Sequence, residues 1–165
     1  MKQVKIKLNG GIMPNKVTEG AAAYDLYAPE DVEISSGRHI IDMKFSLELP
    51  NGYAATIQPR SGFSSKGFEV DKIHIEDGVV LEVIRSVRID ADVKRGLIDA
   101  DYRGKVGVIL YVRTDPDVFE RFVIRKGARI AQMQIVEVPE IELVEADELS
   151  ETDRGEGGFG STGVL

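Results

Sequence analysis

The sequence has no cysteine and no tryptophan, and only two histidines, His39 and His74. Without thiols there is no disulfide, zinc–thiolate centre, iron–sulfur cluster or cysteine nucleophile. Two histidines are too few for a histidine-rich metal site, and nothing local supports a serine–histidine–aspartate triad through either one. No apolar run approaches the roughly 20 residues that a membrane helix needs. No N-terminal stretch joins a basic segment to a short apolar one. The expected location is therefore the cytoplasm, with no membrane association. Positive charge is also scarce: 21 Lys and Arg face 28 Asp and Glu, a formal net charge of −7. Direct nucleic-acid binding, which draws on excess positive charge, is not expected. An acidic chain can still hold an anionic small molecule if it gathers a few arginines, backbone N–H groups or a divalent cation in one place.

What is present is a two-residue rhythm. Ile41, Met43, Phe45, Leu47 and Leu49 alternate with Asp42, Lys44, Ser46 and Glu48, the pattern of a strand with one dry face. Val4, Ile6 and Leu8 alternate with Lys5 and Lys7 in the same way. Pro50-Asn51-Gly52 predicts a tight hairpin turn, and Tyr53, Ala55 and Ile57 resume a strand. Further strands are predicted over 32–34, 106–112, 122–124, 130–138 and 141–144. Residues 106–112 are apolar on both faces, which places that strand centrally. Residues 68–89 are β-prone on either side of Glu76-Asp77-Gly78 and predict a hairpin. No long amphipathic helix is visible. The 165 residues fit one domain with a sizeable core, and the fold class is all-β, a sandwich or barrel. Acidic residues cluster from Glu137 to Asp153, a solvated surface in the simplest reading. A glycine-rich tail follows, with too few apolar groups to fold onto the core alone, and is expected to be mobile.

Three constellations can carry chemistry, each with a plainer alternative. The tail Arg154-Gly155-Glu156-Gly157-Gly158-Phe159-Gly160-Ser161-Thr162-Gly163 is either a frayed terminus or a lid over a nucleotide. In a lid, Arg154 and the hydroxyls would meet phosphates and Phe159 would stack on a base. Pro59-Arg60-Ser61-Gly62 is either a strand-ending turn or a phosphate grip in which Gly62 permits close backbone approach. Gly96-Leu97-Ile98-Asp99-Ala100-Asp101-Tyr102-Arg103-Gly104 is either a polar turn or an acid/base site, with Asp99 and Asp101 sharing a strand face. Asp99 and Tyr102 differ in strand parity, so they line one pocket only if the chain bends between them. Asp25 in Ala22-Ala23-Tyr24-Asp25-Leu26 reads most simply as a turn or solvated residue. Gln132 in Gly127-Ala128-Arg129-Ile130-Ala131-Gln132-Met133 reads as a satisfied strand-face residue.

In their order along the chain, from Ala22 to Gly163, these segments resemble the five motifs of the trimeric deoxyuridine triphosphatases, the dUTPases. The resemblance implies a distorted β jelly-roll or β-clip barrel, assembled as a homotrimer with active sites shared between subunits and a mobile C-terminal arm. It implies hydrolysis of dUTP to dUMP and pyrophosphate with Mg2+, which limits uracil in DNA and supplies dUMP for thymidylate. Carried over position by position, Asp99 resembles the carboxylate that polarises the attacking water. Tyr102 resembles the ring packed on deoxyribose, and the hairpin around Asp92, Val93 and Gly96, with Leu97 and Ile98, resembles the uracil reader. Arg60, Ser61, Gly62 and Gln132 resemble phosphate contacts, and Asp25 the aspartate that reaches magnesium through water. Arg154, Phe159, Gly160, Ser161 and Thr162 resemble the closing arm. The implied organisation is a core over 1–149 and an arm over 150–165.

Two departures stand out. Ala23 occupies a position where the family usually has glycine. The chain is also about 22 residues longer between Ser61 and Asp99 than compact family members, roughly residues 68–89. That insertion is expected to protrude and either shield the site rim or contact a protein partner. The nearest rival is a dCTP deaminase of the same fold, which needs a glutamate near the cytosine amino group. Asp92-Val93-Lys94-Arg95-Gly96 offers none. A regulatory binding module is the rival of another class, and the set formed by Asp99, Tyr102 and the arm exceeds what binding alone requires.

Overall fold

A computed structural model describes residues 2–76, 79–113 and 121–158. Eleven strands and one short helix are defined among them: β1 (Lys5–Leu8), β2 (Tyr24–Tyr27), β3 (Val32–Ile34), β4 (Gly37–Glu48), β5 (Tyr53–Gln58), α1 (Ser61–Lys66), β6 (Phe68–Glu76), β7 (Val79–Val93), β8 (Gly96–Ile98), β9 (Lys105–Arg113), β10 (Arg121–Ile124) and β11 (Arg129–Glu137). They form a seven-stranded sheet, β1-β4-β9-β7-β6-β10-β3, and a four-stranded sheet, β2-β11-β5-β8. Every strand pairing is antiparallel. The fold is all-β, as the alternation predicts, and a jelly-roll, as the resemblance implies.

Because side chains alternate across a strand, β4 sends Ile41, Met43, Phe45 and Leu47 inward and Asp42, Lys44 and Ser46 outward. Phe45, Met43, Val106, Val108, Leu110, Val112 and Phe122 of the larger sheet meet Leu26, Ile57, Ile130 and Met133 of the smaller one in a continuous core. Burying side chains of this size contributes about 1.5–3 kcal/mol each. The chain crosses between sheets at Pro50-Asn51-Gly52, where Gly52 takes φ 79° and the Tyr53 N–H donates to the Pro50 carbonyl at 3.2 Å. It is a tight turn but not a hairpin, since β4 and β5 lie in different sheets.

Five elements depart from the sequence reading. β2 and β8 are strands of four and three residues, too short to show a period. Helix α1 buries only Phe63 and has no side-chain cap, so nothing in its pattern announces it. Residues 141–144 are predicted to pair but form no strand, and Ile141, Leu143 and Val144 are exposed. β9 lies within the sheet as expected, but only one of its faces is dry. Val106, Val108, Leu110 and Val112 are buried, whereas Ile109 is half-buried and Tyr111 exposed, next to Ile40 of β4, which is 73% exposed.

β6 and β7 pair antiparallel, with Glu76 opposite Val79. The turn residues Asp77 and Gly78 lie outside the described residues. The base of this hairpin belongs to the core: Phe68, Val70 and Ile89 are buried, and the Phe63 and Phe68 rings stack with centroids 4.4 Å apart. Only the outer part projects, leaving Val79, Val80, Leu81, Val83 and Ile84 exposed. At the bend between the two parts, Ser86 adopts φ 56°. The buried Asp71 carboxylate accepts the Ser86 N–H at 3.1 Å and pairs with Arg125 at 2.8 Å and Arg85 at 3.1 Å. These partners, the Ser86 N–H first, hold the Asp71 carboxyl below the usual carboxylate range.

Candidate active site

The smaller sheet places three side chains in one row, because Asp25 of β2 lies opposite Gln132 of β11, which lies opposite Gln58 of β5. Asp25 is only 7% exposed. Its Oδ1 accepts Arg60 Nε at 2.9 Å and its Oδ2 faces an Arg129 guanidinium nitrogen at 3.4 Å. Gln132 donates from Nε2 to the Pro59 carbonyl at 2.9 Å, which fixes the segment just before Arg60. Asp25, Arg60, Ser61, Gly62, Gln58, Arg129 and Gln132 line a cleft of about 350 Å³. A Cβ at Gly62 would point into open space, so the fold of this chain does not require glycine there. Sequence reasoning placed Asp25, Arg60, Ser61, Gly62 and Gln132 in a site, and the structure brings all five together.

It missed Arg129 and Gln58. In a regular strand Arg129 and Gln132 would face opposite ways, three residues apart. The register shift between Arg129 and Ala131 inserts an extra residue and returns Arg129 to the face of Gln132. A bulge of this kind leaves no trace in an alternation pattern.

The third segment lies elsewhere. β8 pairs with β5 so that Ile98 is opposite Ala55, and Asp99 follows at the strand's end. By strand spacing and rise, Asp99 is about 20 Å from Asp25. Asp99 and Asp101 do not share a strand face, because the chain turns there, with the Tyr102 N–H donating to the Asp99 carbonyl at 3.2 Å. This bend is the one that Asp99 and Tyr102 need to face a common space. Tyr102 lies across the turn, its hydroxyl donating to the Lys105 carbonyl at 3.0 Å. A Cβ at Gly104 would overlap the phenol, which explains the glycine. Asp99, Leu97 and Tyr102 are all exposed in the single chain, while Ile98 is buried.

The Val93 to Gly96 connection is not a paired hairpin. β7 pairs with β9 and β8 with β5, so Lys94 and Arg95 cross between sheets. Asp92 is held there by Lys94 at 2.8 Å and Arg113 at 3.5 Å. Arg154 lies in a local turn and donates to the Gly157 carbonyl at 2.8 Å, away from both segments. Phe159, Gly160, Ser161 and Thr162 lie outside the described residues. Among the described residues no group of three or more His, Asp or Glu side chains gathers to hold a metal, and no helix is long and apolar enough to cross a membrane.

The sequence model of the dUTPase family matches residues 9–83 and 86–163. The chain belongs to the dUTPase family. It is 42% identical to the deoxyuridine 5'-triphosphate nucleotidohydrolase of Hydrogenobaculum sp., over 92% of this chain and 90% of that one. It is 35% identical to the same-named protein of Paramecium bursaria Chlorella virus 1, over 98% of this chain and 96% of the relative. Among solved structures, a mutant dUTPase of Staphylococcus bacteriophage 80alpha with dUpNHpp is similar, with a TM-score of 0.75 and 25% identity, covering 99% of this chain and 100% of that one. The dUTPase family assigns the chain to the hydrolases acting on dUTP.

Proposed function

We propose that the protein cleaves dUTP between the α- and β-phosphates in sites shared by the subunits of a homotrimer. The observation that carries this reading is the separation of the two halves. Arg60, Ser61, Gly62 and Gln132 share a cleft in one chain, whereas Asp99 and Tyr102 are about 20 Å off and exposed. A second copy supplies the missing half. The outward face of β4 and β9, with Ile40, Ile109 and Tyr111, offers the apolar surface for that assembly.

Arg60, Ser61 and Gln132 hold the β- and γ-phosphates, and the open space at Gly62 lets the backbone approach them. Asp99 orients a water against the α-phosphorus and takes its proton as the new P–O bond forms. The bond from the α-phosphorus to the bridging oxygen breaks, and pyrophosphate leaves with that electron pair. Tyr102 packs on deoxyribose where a 2′-hydroxyl would clash. Asp92, Val93, Gly96, Leu97 and Ile98 line the uracil end. The core spans 1–149, and the arm over 150–165, with Arg154, Phe159, Gly160, Ser161 and Thr162, closes over base and phosphate and excludes water. Uracil is thereby kept from DNA, and dUMP becomes available for thymidylate synthesis in the cytoplasm.

The donor chemistry suits Mg2+ that arrives with the triphosphate rather than one held by the chain. Each Asp25 oxygen already accepts an arginine yet keeps a further lone pair for a metal-bound water. Magnesium, when bound, would neutralise phosphate oxygens and the charge on the leaving pyrophosphate. The test is pyrophosphate release from dUTP, UTP, dTTP and dCTP in parallel, with ammonia assayed. Turnover of dUTP alone is expected, and ammonia from dCTP would overturn the reading.

A further inference from the structure

A second basic cleft adjoins the first. Its walls include Arg60 and Arg129, which also line the phosphate cleft, together with Lys66 of α1 and Arg88 of β7. It measures about 400 Å³, and Glu69 is its one lining carboxylate. Four cations line it, against Glu69 in the cleft and Asp25 behind Arg60 and Arg129, which leaves a local excess of positive charge in a chain whose formal net charge is −7. Field from such a concentration draws small anions.

The geometry is built rather than incidental. Gly67, at φ 76°, ends α1, and a Cβ there would lie 2.9 Å from the Ile89 carbonyl. Glycine therefore lets α1 close on β7, which brings Lys66 beside Arg88. Arg88 spans that junction, donating to the Lys66 carbonyl at 3.2 Å and pairing with Glu69 at 3.3 Å. Arg88 and Glu69 are both at least half exposed, so their pair is screened and weak. Lys66 has no ion-pair partner among the described residues. Lys66 and Arg88 are thus two cations available to an incoming anion, one step beyond the arginines that face the triphosphate.

We propose that Lys66 and Arg88 form an accessory subsite for pyrophosphate, which receives the leaving group after it passes Arg60 and Arg129. The proposal rests on the triphosphate reading of the adjoining cleft. It assigns the base of the 68–89 segment a part in product handling: Arg88 holds the departing anion, and Glu69 competes for Arg88 and so promotes release.

The experiment is calorimetry of pyrophosphate binding to the full-length protein without nucleotide, alongside pyrophosphate inhibition of dUTP turnover. In the Lys66→Ala/Arg88→Ala variant, pyrophosphate affinity is expected to fall about tenfold or more. Arg88→Lys keeps the charge and should stay within about threefold, and Glu69→Gln should bind pyrophosphate about two- to threefold tighter. Unchanged affinity in a double variant that unfolds at the wild-type temperature would overturn the subsite. Should that variant fail to fold, Glu69→Gln alone decides, and no gain in affinity overturns the proposal. Sulfate binding as tightly as pyrophosphate would also overturn it, in favour of an unselective patch. Calorimetry needs no turnover, so a failed subsite with intact dUTP hydrolysis is distinguishable from failure of the catalytic reading.

Discussion

Asp25 and Asp99 are assigned to one reaction, yet the chain treats them in opposite ways. Asp25 is 7% exposed, sits on the edge strand β2 against β11 and is clamped by two arginines. Asp99 is exposed at the end of a three-residue strand, and its neighbours Leu97 and Tyr102 have no cover. Phosphate binding needs several charges fixed in advance, and a sheet interior supplies that within one chain. Asp99, the carboxylate proposed to meet a water and a phosphorus, is left on a rim, where in the proposed assembly another copy would complete its surroundings. On the proposed reading, the comparison teaches that the electrostatic half of the site is made by folding and the reacting half by assembly.

The largest test strikes the exposed side. Asp99→Asn should lower turnover by about 10²–10⁴ while nucleotide binding persists, as read by initial rates and calorimetry. Near-normal turnover would end the assignment of Asp99. On the clamped side, Asp25→Asn leaves Arg60 and Arg129 without their carboxylate. Its dUTP KM should rise about tenfold, with a smaller change in kcat. If kcat falls instead, the two aspartates are not divided as described. Mixing Arg60→Ala with Asp99→Asn chains should restore about a quarter of wild-type activity after subunit exchange, because some sites then draw both intact halves. No recovery in verified mixed trimers would place the whole site in one chain.

Smaller effects come from the hairpin base. The folded Asp71 carboxyl is held below its ordinary value, so its stabilisation is present at neutral pH and is lost as pH falls through that lowered value. Asp71→Asn should therefore unfold at lower urea than wild type at pH 7, with the gap narrowing at pH 3. By contrast, the Lys5–Glu48 pair lies on the surface and is screened by solvent, so Lys5→Met should leave the urea midpoint close to that of wild type.

Much of this architecture is legible from alternation. β4 and β9 can be read because each has a dry face, and a buried residue in every second position is hard to disguise. β2 and β8 are too short for that, and their residues, such as Asp25, are polar for reasons that only the neighbouring strand reveals. Residues 141–144 show the converse: strand-forming side chains alone do not make a strand when the segment packs against nothing and stays exposed. Five of the residues lining the cleft are named by their motifs, but Arg129 is hidden by a bulge. Lys66 and Arg88 are 22 positions apart, and only the close approach at Gly67 makes them neighbours.

The uncovered apolar strip on β4 and β9 also makes protein concentration a control on this molecule. Whatever buries Ile40, Ile109 and Tyr111 binds only the folded chain, so by mass action the melting temperature should climb as concentration rises. Dilution should then cost activity before it costs secondary structure. A newly made chain, until that strip is covered, would carry a sticky face through a crowded solution, which puts a premium on fast encounter.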